Sequence, residues 1–377
     1  MKSVMVGMRD ASTWSRLVSS LLLRLCLSLS MVVVAGCGSS GMRDSPAELR
    51  EVRRFTLEET DSLFLGHFRT ITVTRSPYRI YVPDRIGDQI GVFDSLGQIV
   101  RFFGSFGEGP GELDRPTKVV VHGSTVYVSE NSRFSVLDTS GTFRRIMHLP
   151  EGIYKNDYWS LNYYKDQLVI PAVDVSQRRG GSLRMTPEQN SIAIMDTSFR
   201  EVTMVGQFPK FYQEGEYVNR WMSVDISSEG VAATSYSLLN IVDLYALERP
   251  GHPPIGTIQM EHPAWKPTTV EMPANMPIPE LNRLLTETSR ALSVFIVRDK
   301  FVVLYFINAA PDYQDRVGDD RASEHFATLT SMGGEQLATL TLPGPIMGHD
   351  DDGMLYIRLS SIPDEREFGV YELVVNE

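Results

Sequence analysis

Beyond residue 50 the chain shows almost no helical periodicity. Apolar residues come in runs of about four to eight, broken by Gly, Asp, Ser and Pro, which predicts short strands and an all-β fold. The runs fall into sets of four. The first is 70–74, 79–82, 90–94 and 99–103; the second is 118–122, 126–129, 134–138 and 143–149. Three more sets occupy 160–208, 223–260 and 291–342. The last set, 346–350, 355–359 and 369–374, has only three runs. A leftover run at 54–58 is expected to supply the fourth and close a ring. One stretch breaks the pattern: Pro279-Glu280-Leu281-Asn282-Arg283-Leu284-Leu285 predicts a short helix inside a Pro-rich insertion at 261–290. Its stripe of Leu281, Leu284 and Leu285 is expected to dock the helix on the body.

A phrase recurs at the end of the third strand of a set. Val92-Phe93-Asp94-Ser95-Leu96-Gly97 is echoed by Val136-Leu137-Asp138-Thr139-Ser140-Gly141, 44 residues on, and by Ile194-Met195-Asp196-Thr197-Ser198-Phe199, a further 58 on. A degraded copy is Leu329-Thr330-Ser331-Met332-Gly333-Gly334. Each reads as a strand running into a tight turn, with an Asp or Ser able to bond its own backbone and a Gly able to take positive φ. Four strands repeated about six times are the signature of a six-bladed β-propeller of antiparallel blades, ring-closed by an N-terminal strand. After Asp94 the chain continues through Phe103-Gly104, Gly107-Glu108-Gly109-Pro110-Gly111-Glu112 and Asp114-Arg115-Pro116 into an apolar strand. This resembles the NHL-repeat group of six-bladed propellers. The resemblance is clear over 78–150, weak over 150–345, and returns at 349–357. It implies the fold without implying one activity, since such propellers serve as binding platforms, sensors, lactonases and lyases.

Strand order sorts the connections onto two faces. Short turns such as 76–77, 123–124, 165–166 and 299–300 share one face. Long loops at 104–116, 150–159, 172–191, 209–221, 261–290, 308–325 and 360–368 share the other. Long loops on one face of a rigid scaffold are where function is expected. They carry Tyr154, Tyr158, Trp159, Tyr212, Tyr217, Arg220, Trp221 and Trp265, including three of the four tryptophans. Aromatic and Arg side chains are common partner anchors, so Tyr154, Trp159, Tyr212, Tyr217, Arg220, Trp221 and Trp265 form the candidate ligand-binding set. The expected role is a non-enzymatic binding or scaffold module for a protein, peptide or glycan, with no cofactor.

The competing expectation is a propeller enzyme, lyase- or lactonase-like, with a metal in the central channel. Its polar candidates are His122, Asn162, Asp225 and His349, whose spacing matches no established ligand pattern. The run His349-Asp350-Asp351-Asp352-Gly353 lacks EF-hand spacing and reads as a hairpin turn. No nucleophile-elbow motif is present.

The N-terminus sets the compartment. Lys2, Arg9, Arg16 and Arg24 precede an apolar stretch at 25–35, too short to span a bilayer and fitted to a signal-peptide core. It ends in Val34-Ala35-Gly36-Cys37, which resembles the lipobox of bacterial lipoproteins. The resemblance implies cleavage after residue 36, diacylglyceryl and acyl chains (palmitate among them) on Cys37, and a flexible tether over 37–50 leading to a propeller at 51–377. Gly38 is not the Asp that often retains lipoproteins in an inner membrane, so the outer membrane is the expected address in a two-membrane cell. The only other cysteine, Cys26, leaves with the leader. That cut takes four basic groups and one acid from a chain of formal charge −11, leaving about −14. So acidic a domain is not expected to bind nucleic acid.

Overall fold

The structure, a computed structural model, describes residues 46–60, 64–156, 159–175, 185–187, 189–217, 221–309, 323–359 and 366–376. They form six antiparallel sheets, each built on a row of four strands; one row carries a fifth, short strand, Ile153–Lys155, on the same partner as its first strand. The first strands of the sheets are Thr72–Arg75, Lys118–His122, Asn162–Tyr164, Met222–Ile226, Ser289–Val297 and Ile346–His349. Each of these touches the next, and the last touches the first, so they ring a central channel. The protein is an all-β, six-bladed propeller, numbered here as blades 1 to 6 from Thr72.

The apolar runs follow from this architecture. A blade packs on both of its faces, so consecutive residues are buried rather than alternate ones. Ile80, Tyr81 and Val82 are all buried. Ile80 and Val82 pack with Tyr356, Phe368 and Val370 of blade 6. Tyr81 turns the other way, toward Val119, Val126 and Val128 of blade 2.

Ring closure uses the N-terminal strand, as expected, but a longer one. Ala47–Thr56 pairs along Glu367–Val375, with a bulge between Glu51 and Arg53. It begins inside the stretch read as tether. Its inward positions are few: Ala47 and Phe55 are buried, and most of the rest is exposed or partly so. A mostly solvated outer strand leaves little apolar pattern to read. Phe55 stacks on Phe368 with centroids 5.3 Å apart, joining the two ends of the chain.

The recurring turn phrase is an inter-blade clamp. Asp94 Oδ1 accepts the Leu96 and Gln98 amides at 2.8 and 3.0 Å, and Asp138 Oδ1 accepts those of Ser140 and Thr142 at 2.9 and 3.0 Å. Hydrogen bonds from Ser140, from these amides and from Arg144 hold the Asp138 carboxyl down at about 2. The residue after each Asp then receives a guanidinium from the outer strand of the preceding blade. Arg53 donates to Ser95 O, Arg101 to Thr139 O at 3.1 Å, and Arg145 to Thr197 O at 2.5 Å. Gly97 and Gly141 take φ of 82° and 89° at the turn's end. In the third copy Phe199 takes φ 58° instead, and its ring is buried against Phe134 at 5.0 Å.

The glycine-rich loop at 104–116 is the connection from blade 1 to blade 2. Buried Arg133 donates to Gly107 O, Glu108 O and Glu112 O at 3.0, 3.2 and 3.1 Å. Its charge is met by buried Glu130 at 3.0 Å, which also accepts the Asp114 amide at 2.6 Å. Gly107 has φ 149°, a backbone conformation that residues with a side chain rarely adopt, so the loop favours glycine there.

Two further differences lie on the long-loop side. The segment read as loop 150–159 contains a strand, Ile153–Lys155, that pairs with Ala172 to Asp174 because the second strand of blade 3 overshoots its inner partner. A short helix α1, Lys210–Glu214, stands in the 209–221 loop. The expected helix in the insertion is α2, Ile278–Glu287. Leu284 is buried and Leu281 and Leu285 are partly buried against the cluster around Tyr212, Tyr217 and Met272, so the stripe docks the helix as expected.

Candidate functional site: the central channel and its long-loop mouth

The channel and the groove it opens into between blades 1 and 2 on the short-turn side together hold about 910 Å³, at the upper end of ordinary ligand sites. Its wall is the free edge of six inner strands, where unpaired backbone groups need partners. Side chains of one blade supply them to the next. Thr70 Oγ1 donates to Thr117 O at 2.8 Å, and Thr72 Oγ1 reaches Val119 O. Asn162 Nδ2 donates to Val224 O at 2.8 Å. Ser160 Oγ accepts from Val224 N and Ser223 Oγ from Val294 N, both at 3.3 Å. Asp225 Oδ2 accepts from Ile296 N at 2.7 Å. The polar alternation 70/72, 160/162 and 223/225 is therefore a stitch between blades.

This geometry separates the four channel residues singled out as metal candidates. Asn162 has its amide on a backbone carbonyl. His122 is exposed at the end of its strand and stacks on Tyr163 at 4.0 Å. Asp225 and His349 do meet, with Oδ2 and Nε2 3.0 Å apart, reaching past the inner strand of blade 5. Burial opposes charge on both. The pairing outweighs it, so the Asp225 carboxyl sits below its ordinary value and His349 above its own. Phe295 packs edge-on against the imidazole at 5.6 Å, and the imidazole Nδ1 is buried with no hydrogen-bond partner among the described residues. A nitrogen so enclosed is not placed to take a proton from a ligand in the channel. Among the described residues no three His, Cys, Asp or Glu side chains converge as metal ligands. Asp350, next to the pair, accepts the Asp352 and Met354 amides at 3.0 and 3.1 Å, the hairpin expected there.

The opposite end of the channel opens on the long-loop face. Arg69 and Trp159 hold equivalent places in blades 1 and 3, each one residue ahead of a stitch residue. The Arg69 guanidinium lies over the Trp159 ring at 5.1 Å. Trp221 precedes the inner strand of blade 4 and is 44% exposed. With Tyr305, Met347 and Arg358, these three side chains enclose a narrow recess at the mouth.

The structure thus divides the aromatic set. Trp159 and Trp221 come together at the mouth. Tyr154 is exposed on the strand Ile153–Lys155. Tyr212 and Tyr217 are taken out of the set, being 1% and 7% exposed: both pack beneath their loop, and the Tyr212 hydroxyl accepts the Leu238 amide at 3.1 Å. Trp265 is partly buried and packs edge-on against Phe306 at 5.0 Å, so it anchors the insertion. Tyr158, Arg220 and Cys37 lie outside the described residues. Sequence reasoning missed Arg69 and Arg358, which belong to no aromatic loop. The signal for Arg69 was its place immediately ahead of an inner strand, the place that Trp159 also occupies.

The chain matches no family profile and no curated protein. Solved structures share its fold. It is similar to a member of the DUF4221 family from Bacteroides vulgatus, with 12% identity and a TM-score of 0.68 over 88% of this chain and 100% of that one. It is also similar to a protein from Bacteroides fragilis described as exported, with 11% identity and a TM-score of 0.54 over 90% and 98%. At these identities the likeness is one of fold, and it agrees with the six blades seen here.

Proposed function

We propose that this protein is a lipid-anchored, extracytoplasmic propeller that binds a protein, peptide or glycan ligand at the long-loop mouth of its channel. One observation carries the reading: Trp159 and Trp221, from different blades, stand together with Arg69 and Arg358 at the opening of a large polar channel. Large aromatic and guanidinium groups on rigid strand ends are efficient anchors, because little side-chain freedom is lost on binding. The compartment rests on the leader and on Cys37, and the exported Bacteroides fragilis protein points the same way. A thioether-linked diacylglyceryl group and an N-acyl chain on one cysteine supply more than the two chains that firm membrane anchoring needs. In a two-membrane cell we place it on the outer one.

The binding reading is tested by probing arrays of printed glycans and peptides with the detergent-purified full chain. Wild type is expected to mark a defined subset that the Trp159→Ala/Trp221→Ala variant does not, while Arg144→Ala on the other face behaves as wild type. Equal marking by wild type and both variants would refute it. The anchor is tested separately by Cys37→Ala, which should move the protein from the membrane to the soluble fraction; retention on the membrane would remove the anchor from the account.

A further inference from the structure

The insertion at 261–290 is fastened to blade 5 at its root, and the fastening turns on one histidine. The His262 ring packs against Phe306 and Phe326, with centroids 5.0 and 5.2 Å away. Its Nδ1 accepts the Ala264 amide at 3.0 Å. Ala264 O in turn accepts Asn308 Nδ2 at 3.0 Å, and Trp265 packs edge-on against Phe306 at 5.0 Å. Next along the chain, the Lys266 amide donates to Ser289 Oγ at 2.8 Å. An Nδ1 that accepts carries no hydrogen, so this turn requires the neutral imidazole with its hydrogen on Nε2. Nε2 is itself enclosed.

The surroundings hold the ring neutral. Burial pushes its imidazole below the ordinary value, and the Leu340 carbonyl opposes that in part. No charged side chain of the described residues acts on it. Of the strands packed against it, Gln336–Leu342 carries no ionisable group, and Phe301–Asn308 carries only Tyr305. Tyr305 is hydrogen-bonded to His325 at 2.8 Å. Glu324, on the same strand as His325, is exposed, as are Glu261 and Lys266 beside the ring. Arg290, on the inner strand of the blade, does not act on it either.

We propose that this turn is an acid-released latch: protonation of His262 makes both ring nitrogens donors, breaks the bond to the Ala264 amide and frees the root of the insertion, with Trp265, from blade 5. Release uncovers the Phe306 ring. The latch depends on neither the ligand nor the anchor proposed above. Its sign follows from the neutral form being the one held. The latch is intact above about pH 6.5. As pH falls from there toward the folded value, opening rises up to tenfold per pH unit, the limit for one proton, and then levels. The His349 clasp, whose imidazole is raised, runs the other way.

The test is hydrogen–deuterium exchange on the detergent-purified full chain at about pH 7.5 and about pH 5, with rates corrected for the intrinsic pH dependence of exchange. Wild type is expected to lose at least about threefold of its protection over residues 262–266 on acidification, with the blade 5 strands changing by less than about twofold. His262→Asn offers an oxygen acceptor in place of Nδ1 and takes up no proton, so its protection there should change no more than that of the strands. The proposal is overturned if wild type keeps its protection over 262–266 at the lower pH, if the loss is shared equally by the strands, or if the Asn variant loses as much as wild type. Should that variant fail to fold, a finer pH series on wild type decides. A loss confined to 262–266 that begins near pH 6.5 and rises no more steeply than one proton allows supports the latch, and a loss that begins elsewhere or rises more steeply overturns it.

Discussion

Asp225 and His349 show how much a single residue's reading depends on its neighbours. From the sequence, a histidine and an aspartate in a channel suggest metal chemistry. In the structure they are a clasp between blades 4 and 6, with Asp225 also accepting the Ile296 amide of the blade between. The clasp has a pH signature. His349 is raised above its ordinary value, so its contribution is full below about pH 6.5 and fades as pH rises through the folded value. Asp225 is lowered, so its contribution is full above about pH 3.9 and fades as pH falls through its folded value. Hydrogen bonds between charged groups are worth about 1.5–3 kcal/mol. His349→Gln is therefore expected to melt several degrees below wild type near pH 5, and the deficit should narrow toward pH 9. A deficit of constant size across that range in calorimetric scans would show that the imidazole's charge is irrelevant. The third turn phrase teaches a related lesson. Phe199 occupies a glycine's position at positive φ because its ring fills the gap beside Phe134, and a one-dimensional reading of the phrase cannot see that neighbour.

At the scale of elements, the closing strand carries the ring. Ala47–Thr56 supplies the outer strand of blade 6, Arg53 reaches Ser95 of blade 1, and the Glu58 amide donates to Gly97 O at 2.8 Å. A chain starting at residue 57 would leave Glu367–Val375 as an open edge and the blade 6–1 core without Phe55. Such a chain is expected to be largely insoluble, or to melt at least about 10 °C lower, as the loss of several kcal/mol implies for a domain of this size. An unchanged melting temperature in the soluble fraction would show that the ring closes otherwise. The blades themselves were legible because two-faced burial writes itself as apolar runs, and because an Asp-Ser/Thr turn recurs where an arginine from the blade before meets a carbonyl. The extent of the closing strand was not legible, because an outer strand in water has few apolar positions. Ile153–Lys155 and α1 were missed for a similar reason: each is too short to show a period. Tyr212 and Tyr217 could not be told from surface aromatics, since burial under a loop depends on α2, which lies about 65 residues further along the chain.

As a whole molecule, the propeller brings its two faces to different uses. Turns on one face join blades through side-chain clamps, while the other gathers long loops around a mouth with two tryptophans and two arginines. The central claim is that ligand contact occurs at the long-loop mouth. Hydroxyl-radical footprinting of the full chain, with and without a ligand identified on the arrays, tests it most directly. Protection is expected at Trp159 and Trp221, with His122 and Tyr163 at the opposite end unchanged. Protection of His122 and Tyr163 with both tryptophans still reactive would place the ligand at the short-turn end and contradict the account.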